Sequence, residues 1–236
     1  MPTKPAKPRE FDEYAESYAE LLDDPLRRRF TKDPLHFHRR KWDLLEAFLR
    51  NEGKDPGKLR WLDVGCGQGD LLNLAGAGFE RAVGCDPSCG MLQSASPFQM
   101  FTQCSPTEIP SEDHAFDLVT VVCVYHHVHG PDRDLLAKEI MRVLKPGGIC
   151  CLIEHNPWNP VTRSIVKRCP VDIDAELITA SAARALFQRH GFEMLRTDFF
   201  LYFPESLHRG FGKWEKYLRR IPFGGQYILA MKAPGK

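Results

Sequence analysis

Two periods run through the hydrophobic pattern of this chain. Short apolar runs of strand length alternate with stretches where apolar residues recur every three or four positions. Residues 59–64 form the first run, with the character of a buried strand, and end in a turn with glycine at 65, 67 and 69. Leu71, Leu72, Leu74 and Ala75 then take up helical spacing. Residues 81–86 predict a second strand, followed by a helix carrying Met91 and Leu92, and residues 98–103 predict a third strand. The β-branched run 115–124 predicts a buried central strand. An amphipathic helix is predicted over 132–144, with Leu135, Leu136, Ile140, Val143 and Leu144 inward, and Lys145-Pro-Gly-Gly148 as its sharp stop. Residues 149–153 predict a fifth strand, 179–190 a helix closed by Gly191, 192–203 a strand and 226–231 a closing strand. Strands alternating with helices in this order predict an α/β fold on a largely parallel sheet.

Ahead of the first strand, Phe11, Tyr14, Tyr18 and Leu22 share one face of a helix predicted over 9–22. Residues 23–41 are dense in Arg, Lys and His, a pattern that suits either a seat for a phosphate or carboxylate or, the favoured reading, a solvated helix face. A helix over 42–49 leads into the first strand. Near the other end, Trp214, Tyr217 and Leu218 stand at helical spacing within 204–221.

The turn after the first strand carries the first chemistry. It reads Asp63-Val-Gly65-Cys66-Gly67-Gln-Gly69, one residue tighter than the G-x-G-x-x-G turn that cradles a pyrophosphate. Bare backbone lets a ligand approach closely. A carboxylate at Asp63 repels phosphate and attracts an ammonium group. Asp86 ends the second strand 21 positions past Gly65, where a carboxylate accepts from ribose hydroxyls. Together these features suit an adenosine ligand with an amino-acid tail. A tight turn without a ligand, and a helix N-cap at Asp86, are the plainer alternatives.

The glycine turn, Asp86, Phe116-Asp-Leu-Val119 and Arg142-Val-Leu-Lys-Pro-Gly-Gly148 fall in the order found in class I S-adenosylmethionine (SAM)-dependent methyltransferases, which this chain resembles. The resemblance implies a Rossmann-like seven-stranded sheet, mostly parallel, with helices on both faces and an antiparallel last strand. It implies one domain over 1–236, with a disordered lead at 1–8, a helical cap at 9–50 and substrate-side inserts at 156–178 and 204–221. It also implies the cofactor contacts. These are Asp63, Gly65, Cys66, Gly67 and Gly69 in the first loop, and Asp86, Pro87 and Met91 after the second strand. Cys123 follows at the end of the fourth strand, and Tyr18 comes from the cap. The family's usual acid facing the adenine amine is replaced here by Ser105, beside Pro106, and a hydroxyl oxygen or the backbone takes over as acceptor.

Ligands of open α/β sheets sit beyond the carboxyl ends of the strands. Tyr125-His-His-Val-His-Gly130 and Glu154-His-Asn-Pro-Trp158 therefore edge the reaction space. If the acceptor is a hydroxyl, His155 or His127, with Glu154, is the candidate general base. The alternative is that one histidine is buried and hydrogen-bonded while the others are exposed. Residues 157–178, with Arg163, Lys167, Arg168, Asp172 and Asp174, are longer than a simple link and are expected to recognise substrate or to form an oligomer contact. Trp158 is expected to wall the site.

Composition narrows the classes. A net charge of +1 over 236 residues leaves no strong overall field to draw in nucleic acid or an anionic membrane. No run has the length of a membrane span. The eight cysteines include no C-x-x-C pair, so a zinc site is not expected, and a reduced, cytoplasmic chain is. The expected partner is a small or medium-sized methyl acceptor, with self-association left open. The Asn/Asp-Pro-Pro-Tyr/Phe tetrad of amino and nucleobase methylation is absent after the fourth strand. A SAM-binding subunit without turnover and a nicotinamide-dependent oxidoreductase are the rival functions. Calorimetric titration separates the last of these: SAM is expected to bind and NAD is not.

Overall fold

The computed structural model describes residues 9–33, 35–93, 96–103, 105 and 107–235. The lead at 1–8 and Pro106 lie outside them. Four helices open the chain: α1 (Arg9–Tyr14), α2 (Tyr18–Leu21), α3 (Pro25–Phe30) and α4 (His36–Asn51). The core follows as β1 (Arg60–Val64), α5 (Asp70–Ala75), β2 (Arg81–Asp86), α6 (Cys89–Leu92), β3 (Gln99–Thr102), β4 (Phe116–Val122), α7 (Asp132–Val143) and β5 (Leu144–His155). It ends with α8 (Pro160–Arg168), α9 (Ala180–Arg189), β6 (Glu193–Phe200), α10 (Glu205–Leu218) and β7 (Gln226–Lys232).

The seven strands lie in the order β3-β2-β1-β4-β5-β7-β6. Strands β1 to β5 run parallel, and β7 is antiparallel to both β5 and β6. The order reverses between β1 and β4, which opens a crevice beyond their carboxyl ends.

Alternation in each strand sends successive side chains to opposite faces. Leu62 and Val64 join Leu136, Ile140, Leu186 and Phe187 on the side covered by α7 and α9. Trp61 joins Leu45, Leu49, Leu71 and Leu72 on the side covered by α4 and α5. Two of the family-like words meet in space. Lys145 Nζ donates to Asp117 Oδ2 at 2.7 Å, and the same carboxylate accepts from Arg60 N at 3.0 Å. The Arg142 guanidinium donates to the carbonyls of Ile109 and Ser111, which pins the loop after β3. These residues hold strand ends in place rather than binding ligand.

Four expectations change. Leu135, expected inward on α7, is exposed, and Leu136, Ala137, Ile140 and Val143 form the buried face. The helix expected over 9–22 is two short helices, α1 and α2. Asp12 Oδ1 accepts from Ser88 Oγ (2.6 Å) and Gly90 N (2.8 Å), and Ala15 O accepts from Gln68 Nε2 (2.9 Å), so the intervening backbone serves the core instead of a continuous helix. Lys145-Pro-Gly-Gly148 does not separate a helix from a later strand; β5 already begins at Leu144, and the β4–β5 register shifts between Phe116 and Leu118 to admit it. Trp158 is 65% exposed and walls nothing.

Leu118 in β4 is fully buried between strands and helices. Leu118→Ala is expected to cost about 2–5 kcal/mol in denaturant unfolding, with an unchanged dependence on denaturant concentration.

Candidate active site

The carboxyl ends of β1, β2, β4 and β5 border a cavity of about 700 Å³. The glycine turn forms its floor. Gly65 (φ +69°), Gly67 (φ +52°) and Gly69 (φ +78°) all take the left-handed region, where a side chain strains the backbone. A Cβ at Gly65 would also collide with Val124. Gly65 N and Cys66 N both donate to Cys85 O, which folds the turn back over β2.

Two carboxylates flank this floor. Asp63 is 3% exposed, and its Oδ1 accepts from Thr120 Oγ1 at 2.5 Å, which in turn accepts from Trp61 Nε1 at 2.8 Å. Burial pushes the Asp63 carboxyl up to about 7, against the pull of Thr120 and Lys41. A cation arriving beside it restores the ionised form. Asp86 joins two loops: Oδ2 accepts from Gly67 N and Oδ1 from Ser88 N, both at 2.9 Å. Burial raises its carboxyl as well.

The first helices strap across the cavity through the Asp12 and Gln68 bonds described above. Phe11 presents an edge contact to His127 with ring centres 5.0 Å apart, and Tyr18 and Leu22 line the wall. Helix α3 contributes Arg27 and Phe30, and α4 contributes Phe37, His38 and Lys41. The basic stretch is therefore divided. Arg28 pairs with Asp23 on the surface and Arg40 with Glu215, while Arg27, His38 and Lys41 face the cavity.

A histidine cluster faces the floor. His126 is buried, with Nδ1 2.7 Å from Glu154 Oε2 and Nε2 3.5 Å from Asp172 Oδ1. His127 Nε2 lies 3.4 Å from the same Asp172 oxygen. Glu154 Oε1 accepts from Val124 N (2.8 Å) and Tyr125 N (2.7 Å). Burial alone would lower the His126 pKa, but Glu154 and Asp172 overcome it and raise it to about 10, a charged imidazolium between two carboxylates. Burial lowers His127, against the attraction of Asp172. His126, His127 and Asp172 are also a set able to ligate a metal ion, their donor atoms lying within 4.8 Å of one another; a proton on His126 meets the same geometry.

Cys123 sits where β4 leaves the sheet, at φ +58°, a strained position for a side-chain-bearing residue. Its Sγ accepts from Lys41 Nζ and Gln226 Nε2, each at 3.5 Å. Burial would raise this thiol, and Lys41 with His155 brings it down to about 7.

Of the residues expected from sequence, Tyr18, Asp63, Gly65, Cys66, Gly67, Asp86, Pro87, Met91, Cys123, His127 and His155 line this cavity. Gly69, Ser105 and Glu154 do not. Ser105 turns to Thr107, and Gln103, one position past β3, faces the cavity instead. Glu154 and Asn156 point away from the reaction space, since in an extended strand only every second residue shares the His155 side. Glu154 serves His126, and Asn156 Nδ2 donates to Pro222 O and Gly224 O. The insert 156–178 contributes Asn159, Ile165, Val171 and Asp172, whereas no described side chain of 204–221 lines it. Lys41, Gln103 and Gln226 are additional polar residues of the wall. Gln103 just past a strand end and Lys41 in the dense basic stretch each carry a sequence signal; Gln226, at the start of the closing strand, carries none.

The charged cluster has a pH signature. An imidazolium raised to about 10 contributes stability that is full below the unfolded-state value near 6.5 and is lost as pH rises through about 10. Glu154→Gln is expected to flatten that decline, read by denaturant unfolding across the same pH range.

Residues 62–152 match the family model of a methyltransferase domain. Over 117 residues the chain is 31% identical to the ubiquinone/menaquinone biosynthesis C-methyltransferase UbiE of Desulfotalea psychrophila, covering 47% of each. Over 110 residues it is 33% identical to probable tRNA methyltransferase 9B of Mus musculus, covering 45% of this chain and 23% of that one. The match thus spans about half of the first relative and about a quarter of the second. A solved SAM-dependent methyltransferase from Thermotoga maritima superposes with a TM-score of 0.68 at 16% identity, covering 94% of this chain and 97% of that one, a likeness of fold. The matched segment contains the glycine turn, both flanking carboxylates, His126 and His127, and is a methyltransferase domain similar to those of the class I SAM-dependent enzymes.

Proposed function

We propose that this chain transfers the methyl group of SAM to a small or medium-sized acceptor with an apolar body and a polar or anionic end. The observation that carries it is Asp63, a buried carboxylate that lines the cavity with the bare backbone of Gly65 and Gly67. That donor set fits SAM: Asp63 takes the ammonium, the open turn admits the methionine part, and Asp86 takes the ribose hydroxyls. When bound, SAM supplies a methyl group already activated by its sulfonium.

The protein's own work is then positioning and water exclusion, which supply roughly 7–11 kcal/mol in well-aligned reactions. Phe11 and Tyr18 cover the cavity from the strap. Beyond the floor, Phe30, Phe37, Ile165 and Leu201 provide apolar wall, and Arg27 and Lys41 provide positive charge. This mixture supports the amphipathic acceptor. The named relatives point different ways, one to a quinone pathway and one to tRNA, so the wall chemistry weighs more than either.

For a hydroxyl acceptor, His127 is the favoured base. Burial keeps it neutral, and with Nε2 turned to Asp172 its Nδ1 is the ring nitrogen left to take the proton. His155 is the second candidate, its Nδ1 lying 3.4 Å from Gln226 Nε2. Glu154 is a positioning residue that acts through His126.

Asp63→Asn is expected to weaken SAM binding by about 1.5–3 kcal/mol, the worth of a hydrogen bond to a charged group, in calorimetry. His127→Ala is expected to leave SAM affinity unchanged, lower turnover by roughly 10²–10⁴-fold and remove the base limb of the pH–rate profile. Near-normal turnover in both His127→Ala and His155→Ala removes the base assignment. SAM binding without turnover across hydroxyl, amine, thiol and carbon acceptors favours the non-catalytic subunit.

A further inference from the structure

Helix α10 and the strap after it carry a feature that the cavity does not use. Leu207, Phe211, Trp214 and Tyr217 recur at i, i+4, i+7 and i+10 and share one face. That face points outward: Trp214 is 63% exposed and Tyr217 69%. Ile221 and Phe223 extend it along the strap, both exposed. Six large apolar side chains left in water make a patch on the order of several hundred Å², at or above the largest patches of ordinary monomers.

The charge on this segment is one-sided. Lys213, Lys216 and Arg220 are exposed around the apolar face, and Lys216 Nζ stands 4.9 Å from the centre of the Tyr217 ring. The segment's two acids are both engaged by partners. Glu215 is buried, paired with Arg40 and accepting from Tyr202 N, and Glu205 accepts from Thr31 Oγ1. A second copy docked through the same face would set these cations near their own symmetry mates. An anionic lipid surface complements both features at once, taking the aromatic rings at the headgroup level and the cations against the phosphates.

We propose that α10 and the 219–223 strap seat this protein on an anionic lipid surface. No described helix is long and apolar enough to cross a membrane, and a helix lying in the interface needs no such length. The net charge of +1 conceals the feature, because the compensating acids are elsewhere in the chain. The seat is tied to the cavity. Asn159, which lines it, donates from Nδ2 to Phe223 O at 2.7 Å, and Asn156 holds Pro222 O and Gly224 O. Next to Asn159, Trp158 adds another exposed ring, and Ile173 is a lining residue that is itself 74% exposed. Entry of a lipid-borne acceptor through this rim rests on the methyl-transfer reading; the docking does not.

Flotation with vesicles tests the docking alone. The full chain is expected to float with phosphatidylcholine vesicles containing phosphatidylglycerol, less so at high salt, and weakly with phosphatidylcholine alone. Lys213→Glu with Lys216→Glu is expected to lower partitioning by roughly tenfold or more. Phe211→Ser with Trp214→Ser is expected to abolish it. Both double variants should keep the wild-type unfolding midpoint and SAM affinity, which shows that they are folded. Wild-type protein that stays with the unbound fraction overturns the proposal, as does equal flotation of the variants. Self-association in sedimentation velocity that Phe211→Ser with Trp214→Ser removes also overturns it, in favour of a protein interface.

Discussion

A carboxylate held out of water at the end of β1 is the constraint to which the rest of this structure answers. Asp63 is kept in place by Thr120 on the neighbouring strand, and Thr120 by Trp61 two positions back. Period-two alternation makes this possible, since Trp61 and Asp63 share a face and Thr120 is opposite Asp63 in the β1–β4 register. A buried carboxyl costs free energy unless a partner compensates it. Thr120 compensates only in part, and the raised pKa shows the remainder. In the proposed function the SAM ammonium meets that remainder, and the tightly wound glycine turn leaves room for its bulky tail.

The second half of the site follows from crossing charges. The Glu154–His126–Asp172 series joins β5, the turn after β4 and the insert after α8. Its members are separated by 28 and 46 positions in sequence and meet only because parallel strands deliver all their carboxyl ends to one edge. The cost of burying each charge is offset by its neighbours, so loss of any one leaves an unpaired buried ion. This rigid relay fixes Asp172, and Asp172 faces His127. In the same way, Asp12 and Gln68 hold the first helices across the glycine turn, so the cap and the floor form one packed unit.

An outward apolar face on α10 fits the same plan. The sheet ends with the β6–β7 pair, and α10 occupies the connection between them, supported on its inner side by Glu215 and Arg40. Its outer side has no partner among the described residues, yet it is linked by asparagine side chains to the rim of the cavity.

Much of this was legible in one dimension. The strand runs, the glycine turn with its flanking Asp63 and Asp86, and the order of the family-like words determined the α/β fold, the sheet type and the cofactor class. They are local patterns, and local sterics and alternation suffice to decode them. What a side chain faces at the end of a strand is decided by register and by what packs there from elsewhere. Hence Glu154 serves His126 instead of a ligand, Gln103 takes the place expected of Ser105, and Lys41 reaches Cys123 from a helix 82 positions away. The break between α1 and α2 is of the same kind: Asp12 and Ala15 find better partners in the core than in their own helix. Sequence spacing states which residues share a face, and only the folded chain decides which face meets the ligand, because pairing across hundreds of ångström-scale contacts is settled jointly.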